Sequence, residues 1–177
     1  MFSPLNCATY FILPMTLQKQ HSPGGGASTE GTPAPLPGSL HHLSLSVTDM
    51  TKSVKFYKFL YEDILGFKEL MITEDHAMWW KYGSGAIGIS PAKTKIAHHK
   101  FNAGFHHMAL NLDSREEIDD AHKKLQQFFA ENKEQQLGEI LDSPAEYEYM
   151  PGYYAVFFSD PDGMKFELVH TPREAYF

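Results

Sequence analysis

His42 and His107 are the residues whose type and placement first suggest chemistry. Each opens a stretch of alternating character, HLSLSV and HMALNL. Read with period two, His42, Ser44 and Ser46 share one strand face, and Leu43, Leu45 and Val47 the other. In the second stretch His107, Ala109 and Asn111 oppose Met108, Leu110 and Leu112. The offset, 107 − 42 = 65 residues, marks an internal repeat. A lone strand histidine is more often structural than a ligand, and imidazoles at repeat-equivalent places on polar strand faces shift the balance toward metal ligation. Glu167 is the third residue of interest. Lys165, Glu167 and Val169 share one face of the last strand, with Phe166 and Leu168 on the other. A carboxylate set between Phe and Leu is expensive to bury unless something pairs it, and a divalent cation would do so. His41 and His106 are also repeat-equivalent but fall on the leucine face, so they read as packing or rim residues. His76, His98, His99 and His122 fall in turns, a connector and a helix, and read as solvated. Lys165 is either a rim charge or a substrate contact.

The elements that must position these groups follow the same repeat. After the first strand, Thr48-Asp49 forms an N-cap region. Val54, Phe56, Tyr57, Leu60, Tyr61, Ile64 and Leu65 then recur at helical spacing, and Gly66 is a suitable stop. Strands are predicted over 67–73, 76–82 and 86–90. In the second copy a strand over 105–112 leads into Ser114-x-x-Glu117, a capping box. An apolar stripe follows through Ile118, Ala121, Leu125, Phe128 and Phe129. Three more strands are predicted over 139–143, 153–159 and 164–170, with Asp160-Pro161-Asp162-Gly163 as a turn. Strand, helix and three strands, twice, make an α+β chain of two paired βαβββ modules. The divisions are a leader 1–38, a domain 39–172 and a tail 173–177. Within the domain, module one is 39–92, a linker 93–103, and module two 104–172.

Composition limits the function. A formal net charge of −7 argues against nucleic-acid binding, which needs clustered Lys and Arg. The single cysteine, Cys7, allows no disulfide within one chain, and a reducing, cytoplasmic location is the simplest expectation. No apolar run is long enough to span a bilayer, and residues 1–17 lack the basic start of a secretory signal. Met15 is a possible alternative start. Residues 21–39 are rich in Gly, Pro, Ser and Thr, and read as a flexible leader.

Several stretches resemble the vicinal oxygen chelate superfamily, which includes glyoxalase I, extradiol dioxygenases, fosfomycin-resistance transferases and bleomycin-resistance proteins. In module one they are His42-Leu-Ser-Leu-Ser-Val-Thr-Asp-Met, Ser53-Val-Lys-Phe-Tyr57 and Ile64-Leu-Gly-Phe67. In module two they are His107-Met-Ala-Leu, Gly152 through Gly163, and Phe166-Glu-Leu-Val169. The resemblance implies an open, cupped mixed β-sheet around a metal cavity, with helices outside. It implies one divalent ion (Fe, Mn, Zn or Ni) held by His42, His107 and Glu167. Two imidazoles and a carboxylate form a facial triad with open positions for a substrate. Glyoxalase I members carry a fourth ligand, a glutamate, on the last strand of module one. The matching stretch 86–90 has no carboxylate, leaving Ser90 or a water for that place, which favours the three-ligand members. A second-shell tyrosine of the dioxygenase kind could come from Tyr147, Tyr149, Tyr153 or Tyr154.

The expected pocket draws on Ser44, Trp80, Asn111, Tyr153, Phe157 and Lys165. One of Trp79 and Trp80 should pack under a helix and the other line the cavity. Either Tyr153, Ala155 and Phe157 or their alternates Tyr154, Val156 and Phe158 should form an aromatic wall. The resemblance implies a metal-dependent enzyme on a small oxygenated substrate chelated through vicinal oxygens, dioxygenase-like or transferase/lyase-like. The alternatives are a glyoxalase-type lyase with water as fourth ligand, or a non-catalytic antibiotic-binding protein of the bleomycin-resistance type. Short chains of this kind commonly pair, so a homodimer is expected, with no nucleic-acid or membrane partner.

Overall fold

The computed structural model describes residues 37–96 and 98–177. All but the end of the expected leader 1–38 lies outside the described residues. Module one runs β1 (His42–Val47), α1 (Met50–Lys58), β2 (Lys68–Ile72), β3 (Ala77–Lys81) and β4 (Gly85–Pro91). Module two runs β5 (His107–Asn111), α2 (Arg115–Glu131), β6 (Ile140–Glu146), β7 (Tyr154–Ser159) and β8 (Lys165–His170). The strands form two four-stranded sheets, ordered β1-β4-β3-β2 and β5-β8-β7-β6. In each, the first strand lies parallel to the last and the remaining pairings are antiparallel. The α+β class and the paired βαβββ modules are therefore as the sequence implies. In one chain, however, the eight strands make two cupped sheets, with β1 and β5 each at an edge.

Local chemistry explains the elements. The Asp49 carboxylate accepts from the Lys52 amide at 3.1 Å and caps α1. Ser114 Oγ accepts from the Glu117 amide at 3.2 Å, and Glu117 accepts in return from the Asp113 amide at 2.8 Å. The cap is reciprocal, although Glu117 reaches the amide one residue before the N-cap. Module one's helix leaves α geometry after Lys58 and continues as a π-helical segment, Phe59–Ile64. Gly66 follows at φ +67°, the left-handed value its type allows. Strand β6 runs on through Pro144, past the predicted end at 143. It is an edge strand with irregular register, where a missing amide is tolerated.

The apolar strand faces of both sheets and the apolar faces of both helices close one core. Leu45, Val47, Trp79 and Ile89 come from the first sheet; Val156, Phe158, Phe166 and Leu168 from the second. Between them Phe59 stacks on Phe128 at 4.0 Å, and Phe56 contacts Phe158 and Phe166. The modules are also tied by polar contacts. Tyr57 donates to Asp160 at 2.7 Å, and Thr48 donates its amide to Asp162 at 2.9 Å and its hydroxyl to the other oxygen of that carboxylate. With the apolar faces turned inward, the polar face of each sheet points away from the shared core.

Candidate metal centre

The second sheet's polar face gathers the densest chemistry. Strand β8 sets Glu167 opposite Ala109 of β5 and Phe157 of β7. Its carboxylate is 2% exposed, so it is a buried acid on the polar side of its strand. The Tyr153 hydroxyl donates to one oxygen, and the other lies 3.4 Å from His107 Nε2. Burial raises the Tyr153 phenol well above its usual value, and the bond to Glu167 adds to this. Burial lowers the His107 imidazole; Glu167 opposes that shift, while Lys165, His106 and Lys100 reinforce it. Lys165 lies with Nζ 3.8 Å from the Phe157 ring centroid, and its ammonium is lowered by burial and by Lys100. Tyr147, Tyr149, Tyr153 and Phe157 meet edge to face or stacked at 5.2–5.7 Å. Tyr153, Ala155 and Phe157 thus supply the aromatic wall, while Val156 and Phe158 enter the core and Tyr154 donates to Asp119.

The first sheet's polar face carries the other half. His42, Ala86 and Trp80 lie in one cross-strand row, and Ser44, Gly88 and Met78 in the next. His42 and Ser44 are exposed. Trp80 is 40% exposed there, while Trp79 is fully buried and donates to Glu62 at 2.9 Å. Trp79 is thus the tryptophan that packs under a helix, against Tyr57 and Tyr61. His41 and His106 bond the neighbouring imidazole in each module, Nδ1 to Nδ1, at 3.0 and 2.7 Å. Those bonds leave Nε2 of His42 and His107 as the outward donor atoms, and Nε2 of His107 faces Glu167.

Three placements bear on the expected site. Among the described residues of one chain, no three of His, Cys, Asp and Glu are gathered to hold a metal. His107 and Glu167 are together; His42 lies on the other sheet, whose polar face looks elsewhere. The cause is the shared core, which turns both polar faces outward. Second, the place equivalent to Glu167 in module one is Gly88, opposite Ser44 as Glu167 is opposite Ala109, and not Ser90. Third, His98 and His122 are half-buried, each with a buried Nε2 that bonds no described residue. Asn111 faces outward opposite Val169 and also borders a pocket of about 390 Å³ with Leu65, Lys81 and Lys124. A concavity of about 670 Å³ lies at the C-terminal end of α2 against β6 and β7, apart from the histidines.

The donor chemistry fits a borderline divalent ion. His107 and Glu167 offer an imidazole nitrogen and a buried carboxylate within reach of each other, and His42 offers a further imidazole from the repeat-equivalent strand. A family model, the Glyoxalase/Bleomycin resistance protein/Dioxygenase superfamily, matches residues 39–168, and the chain belongs to that superfamily. Metal dependence and small-molecule binding are typical of it, and dimers are frequent. The uncharacterized protein YqjT of Bacillus subtilis (strain 168) is 27% identical over 133 residues, 73% of this chain and 97% of its own. Metallothiol transferase FosB of Staphylococcus saprophyticus is 27% identical over 133 residues, 75% of this chain and 76% of its own. The fosfomycin resistance protein FosX of Listeria monocytogenes shares the fold at TM-score 0.57 and 18% identity, covering 80% of this chain and all of that one. Among the described residues no helix is long and apolar enough to cross a membrane.

Proposed function

We propose that this chain is a metal-dependent enzyme acting on a small substrate chelated through vicinal oxygens. In this reading the metal is held by His107 and Glu167 of one chain and His42 of a second. The observation that carries the reading is Glu167, a carboxylate 2% exposed beside His107 Nε2 on a polar strand face. A buried acid with an imidazole at its side is a ligand pair whose charge a cation would compensate. When bound, such a cation would supply Lewis-acid polarisation of the substrate oxygens. The chain's own residues do the rest. Tyr153 holds Glu167 in place through its hydroxyl. The Tyr147 and Tyr149 rings, stacked on each other, and the Phe157 ring, edge to face with Tyr147, give an aromatic wall. Lys165, held over Phe157 at the front of Glu167, sets a positive charge where an anionic substrate group would enter.

Among the reactions this superfamily hosts, group transfer is favoured. The FosB relatives are metallothiol transferases by name, and this chain lacks a carboxylate at residue 88. We therefore place thiol addition to a small oxygenated electrophile ahead of ring cleavage or isomerisation. Elemental analysis of untagged protein tests the metal. Near-stoichiometric Fe, Mn, Zn or Ni is expected, and it should be lost in Glu167→Gln. Metal-free protein that binds no divalent ion on titration would leave the non-catalytic binding reading in its place. Loaded protein would then be screened for consumption of low-molecular-weight thiols with oxygenated electrophiles.

A further inference from the structure

Gly88 stands where module two has Glu167, and three side chains line the space that a side chain there would enter. A side chain begun at residue 88 would have its Cβ 3.4 Å from Ser44 Oγ, 3.4 Å from Met78 Cε and 3.5 Å from His76 Cε1. The backbone at 88 is not left-handed, so nothing in its conformation demands glycine. What the missing side chain does is leave room on the polar face, and an imidazole stands beside that room. His76 belongs to the turn before β3, tied at both ends of its peptide. Its amide donates to Thr73 Oγ1 at 3.1 Å, and its carbonyl accepts from the Thr73 amide at 2.7 Å. The ring is half-buried and lies over Gly88, on the face that presents His42 and Ser44.

We propose that His76 is a fourth metal donor, an imidazole supplied from the β2–β3 turn in place of a carboxylate at residue 88. The inference rests on the metal reading above, but it concerns a residue outside the triad. Module one then contributes two imidazoles, His42 and His76, and module two an imidazole and a carboxylate, His107 and Glu167. The set carries one negative charge, so a divalent ion in it keeps a net positive charge and stays a strong Lewis acid. His76 is also separable from structure by design. Gly88 can accept a side chain at ordinary contact distance once the His76 ring is shortened, so a donor can be moved from 76 to 88.

The test measures metal, not turnover. Mn(II) affinity is measured by electron paramagnetic resonance titration of the full chain. Coordination is read from the visible absorption of the Co(II)-substituted protein. His76→Ala and His76→Gln should each weaken Mn(II) by ~10-fold or more, the scale on which metal-site partners act, and should change the Co(II) spectrum. Adding Gly88→Glu to His76→Ala should recover affinity through the carboxylate. Circular dichroism and thermal melts identify any variant that fails to fold; His76→Gln keeps size and polarity for that purpose. If both His76 variants bind Mn(II) as the parent does with an unchanged Co(II) spectrum, while His42→Ala and Glu167→Gln lose the ion, the fourth donor is refuted and the triad stands. If the parent chain itself binds neither ion, the fourth donor and the metal reading fall together.

Discussion

At the scale of the residue, Glu167 concentrates the chemistry and Tyr153 is its anchor. Replacing Tyr153 by Phe removes the hydroxyl and leaves one buried carboxylate oxygen without that donor. A loss of about 1–3 kcal/mol in stability is expected for such a group in metal-free protein. The loss should shrink when a divalent ion is added, because the ion takes over the charge. Thermal melts with and without chelator would show it, and equal melts for parent and variant in chelator would contradict the role. A second contrast separates neighbours in sequence. His42→Ala, His107→Ala and Glu167→Gln should each remove most of the bound metal. His41→Ala and His106→Ala, which lose only a Nδ1 partner of the ligand, should retain most of it. Elemental analysis reads both sets, and an inverted pattern would mean the strand faces are assigned backwards. The polar faces of His42, His107 and Glu167 were legible because strand alternation is a local property. Gly88 and His76 were not. The repeat offset of 65 does not reach the last strand, since 88 − 42 = 46 residues while 167 − 107 = 60. A longer helical crossover and longer hairpins in module two break the numerical repeat, and only strand register restores the equivalence.

At the scale of the element, the β7–β8 turn does more than reverse the chain. The sequence reads Asp160-Pro161-Asp162-Gly163 as a turn from its residue types alone. In the fold both carboxylates also reach across to module one, Asp160 to Tyr57 and Asp162 to Thr48. Those partners lie more than 100 residues away, and no local pattern announces them. Asp160 is 1% exposed and accepts from Tyr57 at 2.7 Å, the Met164 amide at 2.7 Å and the Asp162 amide at 2.9 Å. Burial nevertheless pushes its carboxyl up to about 6, against the hydrogen bonds that favour the anion. The folded state therefore holds this proton more tightly than the unfolded chain does, between the ordinary value of 3.8 and about 6. Its contribution to stability is full below that window and falls as pH rises through it, by ~1.4 kcal/mol per unit of pKa difference. Asp160→Asn cannot titrate and should lack this slope. The stability of the parent relative to that variant should decline from pH ~4 to pH ~7 in matched melts. A relative stability that rises with pH would show that the hydrogen bonds outweigh burial.

At the scale of the whole molecule, one chain keeps the residues proposed as ligands on two sheet faces that do not meet. The shared core holds the apolar faces of both sheets together, so His42 looks out from one and His107 with Glu167 from the other. Strands β1 and β5, which carry the histidines, are both sheet edges in the chain. Edge strands present unpaired amides and carbonyls that suit pairing with another copy. A two-fold dimer in which β1 of each chain lies beside β5 of its partner would satisfy both edges. It would bring His42 to His107 and Glu167 twice. The expectation of a homodimer thus becomes a statement about which residues share a site. Sedimentation should give twice the 20.1 kDa chain mass at micromolar concentration. Subunit mixing gives the sharper result. His42→Ala and Glu167→Gln dimers each break both of their sites and should carry little metal. When the two variants are co-expressed, random pairing makes half of all dimers mixed. In a mixed dimer one site carries both lesions and the other neither. Metal should therefore return to roughly one quarter of the parent's occupancy, from one intact site of two in half the dimers. A site built within a single chain would recover none, because every chain would still carry one lesion in its own site. Elemental analysis of the co-purified mixture, with differently tagged chains to isolate the mixed dimer, decides between the two arrangements. In that isolated species the expected occupancy is half of the parent's, and none would place all three ligands in one chain.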